Sequence, residues 1–324
     1  MTVARRYGEG HRILVTGGAG FVGSYLVDAL LERGASVVVA DNFVTGAKEN
    51  VAHLSAHPRF TLVETDVCDA LPTDVPALAA RFDAILHFAS PASPTDFAQL
   101  PVEILRVGSA ATLHLLARAH ADGARFIMAS TSEAYGDPLV HPQPETYWGN
   151  VNPIGPRSVY DEAKRFAEAA TMAYHRRYGV DVGVVRIFNS YGPRMRADDG
   201  RAIPTFISQA LRGEPITVHG TGAQTRSICY VDDLVRGILA LLDSGEVGPI
   251  NCGTEHEMSM RELAETIVRL TGSSSAVTFI ERTTDDPERR RPDLSRARAL
   301  LGYAPEVGPE EGLRRTIGYF TGRG

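Results

Sequence analysis

From Arg12 to about residue 187, short apolar runs alternate with longer segments whose apolar residues recur at three- and four-residue spacing. The runs are Ile13 to Thr16, Val37 to Ala40, Phe60 to Val63, Ile85 to Phe88, Phe126 to Ala129 and Val182 to Phe188. Most are too short for helices, whereas Phe21 to Arg33, Val102 to His120 and Val159 to Tyr178 have helical length and period. That alternation predicts an α/β fold: a doubly wound parallel sheet of the Rossmann kind, with helices on both faces. After Gly192-Pro193 the rhythm changes to shorter elements punctuated at Gly213 to Pro215, Gly220 to Gly222, Gly248-Pro249 and Pro305 to Pro309. The expected division is a large domain over residues 1–190 and a smaller C-terminal α/β domain for substrate over 191–324. Some of the chain should cross back to the larger one.

Composition narrows the function classes. The 324 residues exceed the usual size of a single core, and 44% hydrophobic with 22% charged residues is ordinary for a globular chain. A net charge of -6 lacks the basic face that nucleic acid requires, so no nucleic-acid partner is expected. Cys68, Cys229 and Cys252 are odd in number, far apart and without ligand-like spacing to histidines, which predicts reduced core thiols and no metal. Arg5 and Arg6 precede no apolar stretch of signal-peptide length, and no 18-residue apolar run follows, so a cytoplasmic protein without a membrane partner is expected.

The first run leads into Gly17, Gly18, Ala19, Gly20, Phe21, Val22 and Gly23, and then into a helix. Glycines there permit a sharp turn and close approach of backbone to a pyrophosphate, while the helix start offers free N–H groups to its oxygens. Asp41 follows the second run, 18 residues after Gly23. A carboxylate there accepts both adenosine ribose hydroxyls and repels a 2′-phosphate, so NAD is favoured over NADP. Asn42 beside it joins the same expected cofactor site, with Asp66 and Val67 flanking the adenine and Ala89 further along.

Tyr160 and Lys164 are four apart at the start of a helix and share one face. An ammonium beside a phenol favours the phenolate, and an oxidised nicotinamide adds to that potential, so Tyr160 can deprotonate an alcohol. The run ending at Ala129 continues as Ser130, Thr131, Ser132, Glu133, Ala134, Tyr135 and Gly136, and ligands bind at such strand ends. Thr131 could hold the reacting alcohol, and Glu133 brings a carboxylate for proton exchange at the adjacent carbon.

Taken together, these residues resemble the sugar-nucleotide branch of the extended short-chain dehydrogenase/reductases, over nearly the whole chain. Within that branch, Asp41 to Gly46, His87 to Pro94, Ser130 to Gly136, Tyr147 to Arg157, Arg186 to Met195, Gln224 to Arg226 and Asp285 to Asp293 look like the decarboxylases of UDP-glucuronate. The resemblance implies a redox set of Thr131, Tyr160 and Lys164, and proton transfer near sugar C5 by Glu133 and Ser132. It further implies Arg290 facing the sugar carboxylate or diphosphate, and Pro91, Asn189 and Arg226 contacting the UDP-sugar. Oxidation at C4 would make a ketone β to the carboxylate, which then leaves as carbon dioxide before hydride returns, giving UDP-xylose. A 4-epimerase producing UDP-galacturonate shares the intermediate; a 4,6-dehydratase fits less well, because a related pattern there has Asp where this chain has Ser132. A catalytically silent binder would have no need of Tyr160.

Two positions depart from the pattern: Gly108, where Asn is usual, and Ala163, where Gly is common. The helices Val102 to His120 and Val159 to Tyr178 resemble a pair that relatives use in a four-helix interface, which implies a homodimer.

Overall fold

The computed structural model describes residues 5–155, 157–198, 200–282 and 287–322. Pro156, Asp285 and Asp286, which fall in the strings quoted above, lie outside that set. The strands are β1 (Arg12–Thr16), β2 (Ser36–Asp41), β3 (Phe60–Glu64), β4 (Ala84–His87), β5 (Arg125–Thr131), β6 (Val182–Ile187), β7 (Ser190–Tyr191) and β8 (Ile216–His219). They continue as β9 (Thr225–Ser227), β10 (Cys229–Tyr230), β11 (Ile250–Cys252), β12 (Glu257–Ser259), β13 (Val277–Ile280) and β14 (Arg289–Arg290).

Seven of these form one wholly parallel sheet in the order β11-β6-β5-β4-β1-β2-β3. The chain adds β2 and β3 on one side of β1 and then crosses to place β4 on the other, which opens a crevice at the carboxyl ends of β1 and β4. All seven residues of β5 are buried, because it has strands on both sides and helices on both faces. Alternation along β1 divides the core: Ile13 and Val15 face a cluster with Leu26, Leu234 and Ile238, whereas Leu14 faces Leu115, Phe126 and Ala167.

The helices are α1 (Phe21–Glu32), α2 (Pro76–Ala79), α3 (Pro94–Gln99), α4 (Pro101–Arg106), α5 (Thr112–Asp122), α6 (Ser158–Tyr178), α7 (Ala202–Arg212), α8 (Val231–Asp243), α9 (Met260–Thr271), α10 (Ser295–Leu301) and α11 (Pro309–Thr321). The single helix expected over Val102 to His120 is α4 and α5 joined by a wide π turn at Val107–Ala111. Gly108 lies in that turn, a type that concentrates at functional sites.

The expectation of shorter elements after Gly192 needs correction. The strands there have two to four residues, but α8, α9 and α11 have 13, 12 and 13, no shorter than α1. Gly and Pro mark where elements stop, not how long they run. From this part of the chain β11 returns to pair with β6 at the edge of the large sheet, while β12-β9-β14 form a small sheet of their own. All three cysteines are free and buried. Among the described residues, no helix is long and apolar enough to cross a membrane.

Candidate active site

The turn after β1 is shaped for close backbone approach. Gly17 has φ +71, and a Cβ there would lie 2.6 Å from the backbone of Ala89, so any side chain would push β1 and β4 apart. At Gly23 a Cβ would come within 2.1 Å of the Gly17 carbonyl oxygen, which is how tightly the first turn of α1 sits on the loop. Helix α1 starts at Gly20 without a side-chain cap and without an acid in its first turn, so its leading N–H groups and their positive potential are offered to an anion.

Asp41, at the end of β2, is 7% exposed and accepts hydrogen bonds from the backbone N–H groups of Ala19 and Phe43, both at 2.9 Å. Burial pushes its carboxyl above the usual range, against those two hydrogen bonds. Each oxygen keeps a second lone pair for a ribose hydroxyl. The uncapped helix, the glycine cradle and this acceptor fit a dinucleotide. Asn42 accepts from the Val44 N–H, and Asp66 accepts from the Cys68 N–H at 2.8 Å, forming a turn. Val67 is buried in the core beside Cys68.

A cavity of about 700 Å³ opens beside this turn. It is lined by Gly17, Gly20, Phe21, Val22 and Gly23 at one end and by Asn189, Arg226 and Arg290 at the other, with Thr131, Ser132, Glu133, Tyr160 and Lys164 between them. Asp41, Asn42, Asp66, Val67, Ala89 and Pro91 are not among its lining residues. Six arginines line it (Arg157, Arg194, Arg196, Arg201, Arg226 and Arg290) against Asp96 and Glu133. An acidic chain thus carries a cationic cavity, suited to a ligand with several negative charges.

Tyr160 sits in the first turn of α6, 7% exposed, stacked on Phe97 with ring centroids 4.8 Å apart. Phe97 is held by α3, whose start is fixed by reciprocal Ser93 and Asp96 capping bonds, and Asp96 also takes Arg196 Nη2 at 2.7 Å. Lys164, one turn along, donates to the Ala129 carbonyl oxygen at 3.0 Å, and its Nζ lies 5.6 Å from the centre of the Tyr160 ring. Burial lowers the Lys164 ammonium to about 8. Burial and then the Glu133 carboxylate push the Tyr160 phenol up, outweighing its hydrogen bond with Thr131. Lys164 alone does not make a phenolate, because desolvation of the phenol is the larger effect.

Glu133 and Arg290, expected to act separately, form one buried pair. Arg290 reaches Glu133 through both terminal nitrogens, at 2.9 and 2.8 Å, and Arg157 Nη2 adds a third contact at 2.9 Å. Burial works to raise the Glu133 carboxyl, but Arg290 and Arg157 overcome it and hold the group ionised, below the usual range. A sugar carboxylate at Arg290 would have to share that guanidinium. The small sheet sets Arg290 beside Arg226, its register partner across β14 and β9. Asn189 follows β6, and its side-chain oxygen is buried with no partner among the described residues, as is Arg290 Nε. Orphaned polar atoms lining a cationic cavity are themselves a mark of a ligand.

Sequence reasoning assigned no role to Arg157, Phe97, Arg196 or Asp161. Arg157 appeared only as the end of a loop string, and nothing in one-dimensional spacing shows that it turns back onto Glu133.

The NAD dependent epimerase/dehydratase family matches residues 13–253. The chain is 50% identical over 312 residues to UDP-glucuronic acid decarboxylase 1 of Arabidopsis thaliana, covering 96% of this chain and 70% of that one. A crystal structure of UDP-glucose 4-epimerase with UDP-glucose, from Thermotoga maritima, superposes with a TM-score of 0.89 at 31% identity, over 96% of this chain and 99% of that one. UDP-glucuronic acid 4-epimerase from Bacillus cereus, in complex with UDP-glucuronic acid and NAD, gives 0.86 at 29% identity over 96% and 99%.

Proposed function

The chain belongs to the NAD dependent epimerase/dehydratase family, and from that premise we propose that it converts UDP-glucuronate to UDP-xylose by decarboxylation through a 4-keto intermediate. The observation that carries this reading is the shared cavity: a buried tyrosine and lysine beside Thr131 at one point, and Arg290 paired with Glu133 next to them. Half of the residues are also identical to those of a UDP-glucuronic acid decarboxylase over almost all of the chain.

Bound NAD supplies a hydride acceptor at C4 and, as a cationic ring, the positive potential that Lys164 alone does not provide. Gly17, Gly20 and Gly23 with the start of α1 would hold its pyrophosphate, and Asp41 its ribose. Tyr160 takes the C4 hydroxyl proton and later returns it, while Thr131 fixes that oxygen in place. The resulting ketone lies β to the C5 carboxylate, so the C5–carboxylate bond breaks with its electron pair delocalised into the carbonyl. Arg290 fixes the carboxylate by a charge-assisted contact, and Glu133 stands beside C5, where a proton must be added. Asn189 and Arg226 hold the UDP portion, and Ser132 serves proton transfer near C5 together with Glu133.

Incubation of the pure protein with UDP-glucuronate, followed by NMR and carbon dioxide detection, tests the reading: UDP-xylose with one carbon dioxide is expected. UDP-galacturonate without carbon dioxide would mean an epimerase, and no turnover would remove catalysis altogether. Support for a homodimer comes from the exposed Val102 and Leu105 on α4, Leu113 on α5, and Phe166 and Tyr178 on α6.

A further inference from the structure

The active-site cavity does not end at Glu133. Behind that residue lies a second cavity of about 540 Å³, whose lining includes Asp137, Asn150, Val151, Asp161 and Glu288, and Glu133 and Arg157 line both spaces. Asp137, Asn150, Asn152 and Glu288 at its rim are exposed, whereas Glu133 and Asp161 are buried. The wall between the chemistry and this solvent-facing space is therefore a carboxylate and the guanidinium of Arg157 paired with it.

Asp161 is 6% exposed, and its Oδ1 has no hydrogen-bond partner among the described residues. Burial and then the nearby Glu133 push its carboxyl up to about 7, against the pull of Arg157 and Arg290; Glu162, on the same helix, pushes the same way. Arg282, Glu288 and Asp137 line the same cavity around it. Asp161 thus carries a proton near neutrality, whereas Glu133 is held without one by its two arginines.

Stoichiometry gives this contrast a use. Loss of carbon dioxide from a carboxylate consumes one proton, which ends on C5. The proton that Tyr160 lifts from the C4 hydroxyl goes back to it and cancels, so the C5 proton must enter from solvent in every turnover. Glu133, resting ionised, has to be loaded first.

We propose that the second cavity is the proton inlet of the reaction and that Asp161 relays a proton through Glu133 to C5. The O–H bond of Asp161 breaks as solvent in the second cavity takes the proton, and that solvent in turn gives up a proton to a Glu133 oxygen. That new O–H bond breaks in turn as the enolate electron pair forms the C5–H bond. Asp161 is reprotonated from solvent at the rim, with no redox change in either carboxyl. The relay rests on the decarboxylase reading, since an epimerase consumes no proton.

A single turnover with excess enzyme tests it. In Asp161→Asn, carbon dioxide should be released at close to the parental rate while UDP-pentose formation slows by about tenfold or more, the quench trapping UDP-4-keto-pentose. The parental fall in rate as pH rises above about 7 should be missing from the variant. Val151→Phe leaves Asp161 in place, fills the cavity and should impose the same delay, so the proposal remains testable if Asp161→Asn does not fold. A folded Asp161→Asn that forms UDP-pentose at the parental rate with the parental pH profile overturns the relay. So does a folded Val151→Phe with no delay. A parent that releases no carbon dioxide overturns the underlying reading instead, and is told apart because no variant is needed to see it.

Discussion

The two departures from the family pattern touch each other, and this makes a sharp experiment. A Cβ added at Gly108 would lie 2.7 Å from the Ala163 Cβ and 2.9 Å from the Ala163 carbonyl oxygen. Two aliphatic carbons rest at about 3.5–4.0 Å, so Gly108→Ala must drive α6 away from the π turn by about 1 Å. Overpacking of that kind costs about 1–3 kcal/mol, and the helical preference of Ala over Gly offsets at most about 1 kcal/mol. A net loss of about 1–2 kcal/mol is expected, seen as a drop of a few degrees in Tm. The rate should suffer more, because Ala163 sits between Tyr160 and Lys164 on the helix that moves, and misplacing a reacting group by about 1 Å costs about 10²-fold. Adding Ala163→Gly removes the 2.7 Å contact but leaves the backbone contacts at 2.9 and 3.1 Å. Because Ala163→Gly itself forfeits up to about 1 kcal/mol of helical preference, the double variant should be little more stable than the single one but should return kcat to within about tenfold of the parent. The measurements are kcat on UDP-glucuronate by NMR and Tm, in a cycle of parent, two single variants and the double. A Gly108→Ala protein equal to the parent in both, or a double with no higher kcat than that single, would refute the reasoning.

Tyr160→Phe keeps the stack on Phe97 and should retain NAD while losing about 10²–10⁴-fold in kcat; unchanged turnover would remove Tyr160 from the chemistry. Lys164→Met should abolish activity yet leave the free protein about 2 kcal/mol more stable at pH 7 in urea. The buried ammonium costs about 3 kcal/mol, and about 1 kcal/mol is lost at the Ala129 carbonyl. Its sign follows from linkage: the folded value is about 8 against the ordinary 10.5, so the unfolded chain binds more protons between them. Parental stability gains from Lys164 across that window, and the variant should lack the gain. Arg290→Met breaks a buried bidentate pair while Arg157 stays on Glu133, and should cost about 3 kcal/mol. It should also weaken UDP-glucuronate more than UDP-glucose in calorimetry. Light scattering should give twice the chain mass, and Phe166→Glu should halve it.

The cofactor end was legible because its physics is local: a strand, a turn without side chains, a helix start and an acid follow one another in sequence. Tyr160 and Lys164 were legible for the same reason, being one helical turn apart. The Glu133 to Arg290 pair was not, since 157 positions separate its members and only the register of β14 against β9 brings the arginine back. The direction of the Tyr160 shift was hidden too, because spacing shows the lysine but not the burial that outweighs it. Asp161 was visible as a letter in the same run as Tyr160. Its unpaired oxygen and the space behind Glu133 exist only once the loops before α6 and before β14 have packed.

The place of β11 has a bearing on how this protein can be made or cut. Because residues 250–252 supply the outermost strand beside β6, a fragment ending near residue 190 would leave a row of open backbone groups along Val185–Ile187. Such a bare edge recruits other chains, so the truncated half should aggregate rather than stand alone. During synthesis the same border stays unfinished until the ribosome has released most of the polypeptide, which makes the two halves partners in folding and not beads on a string.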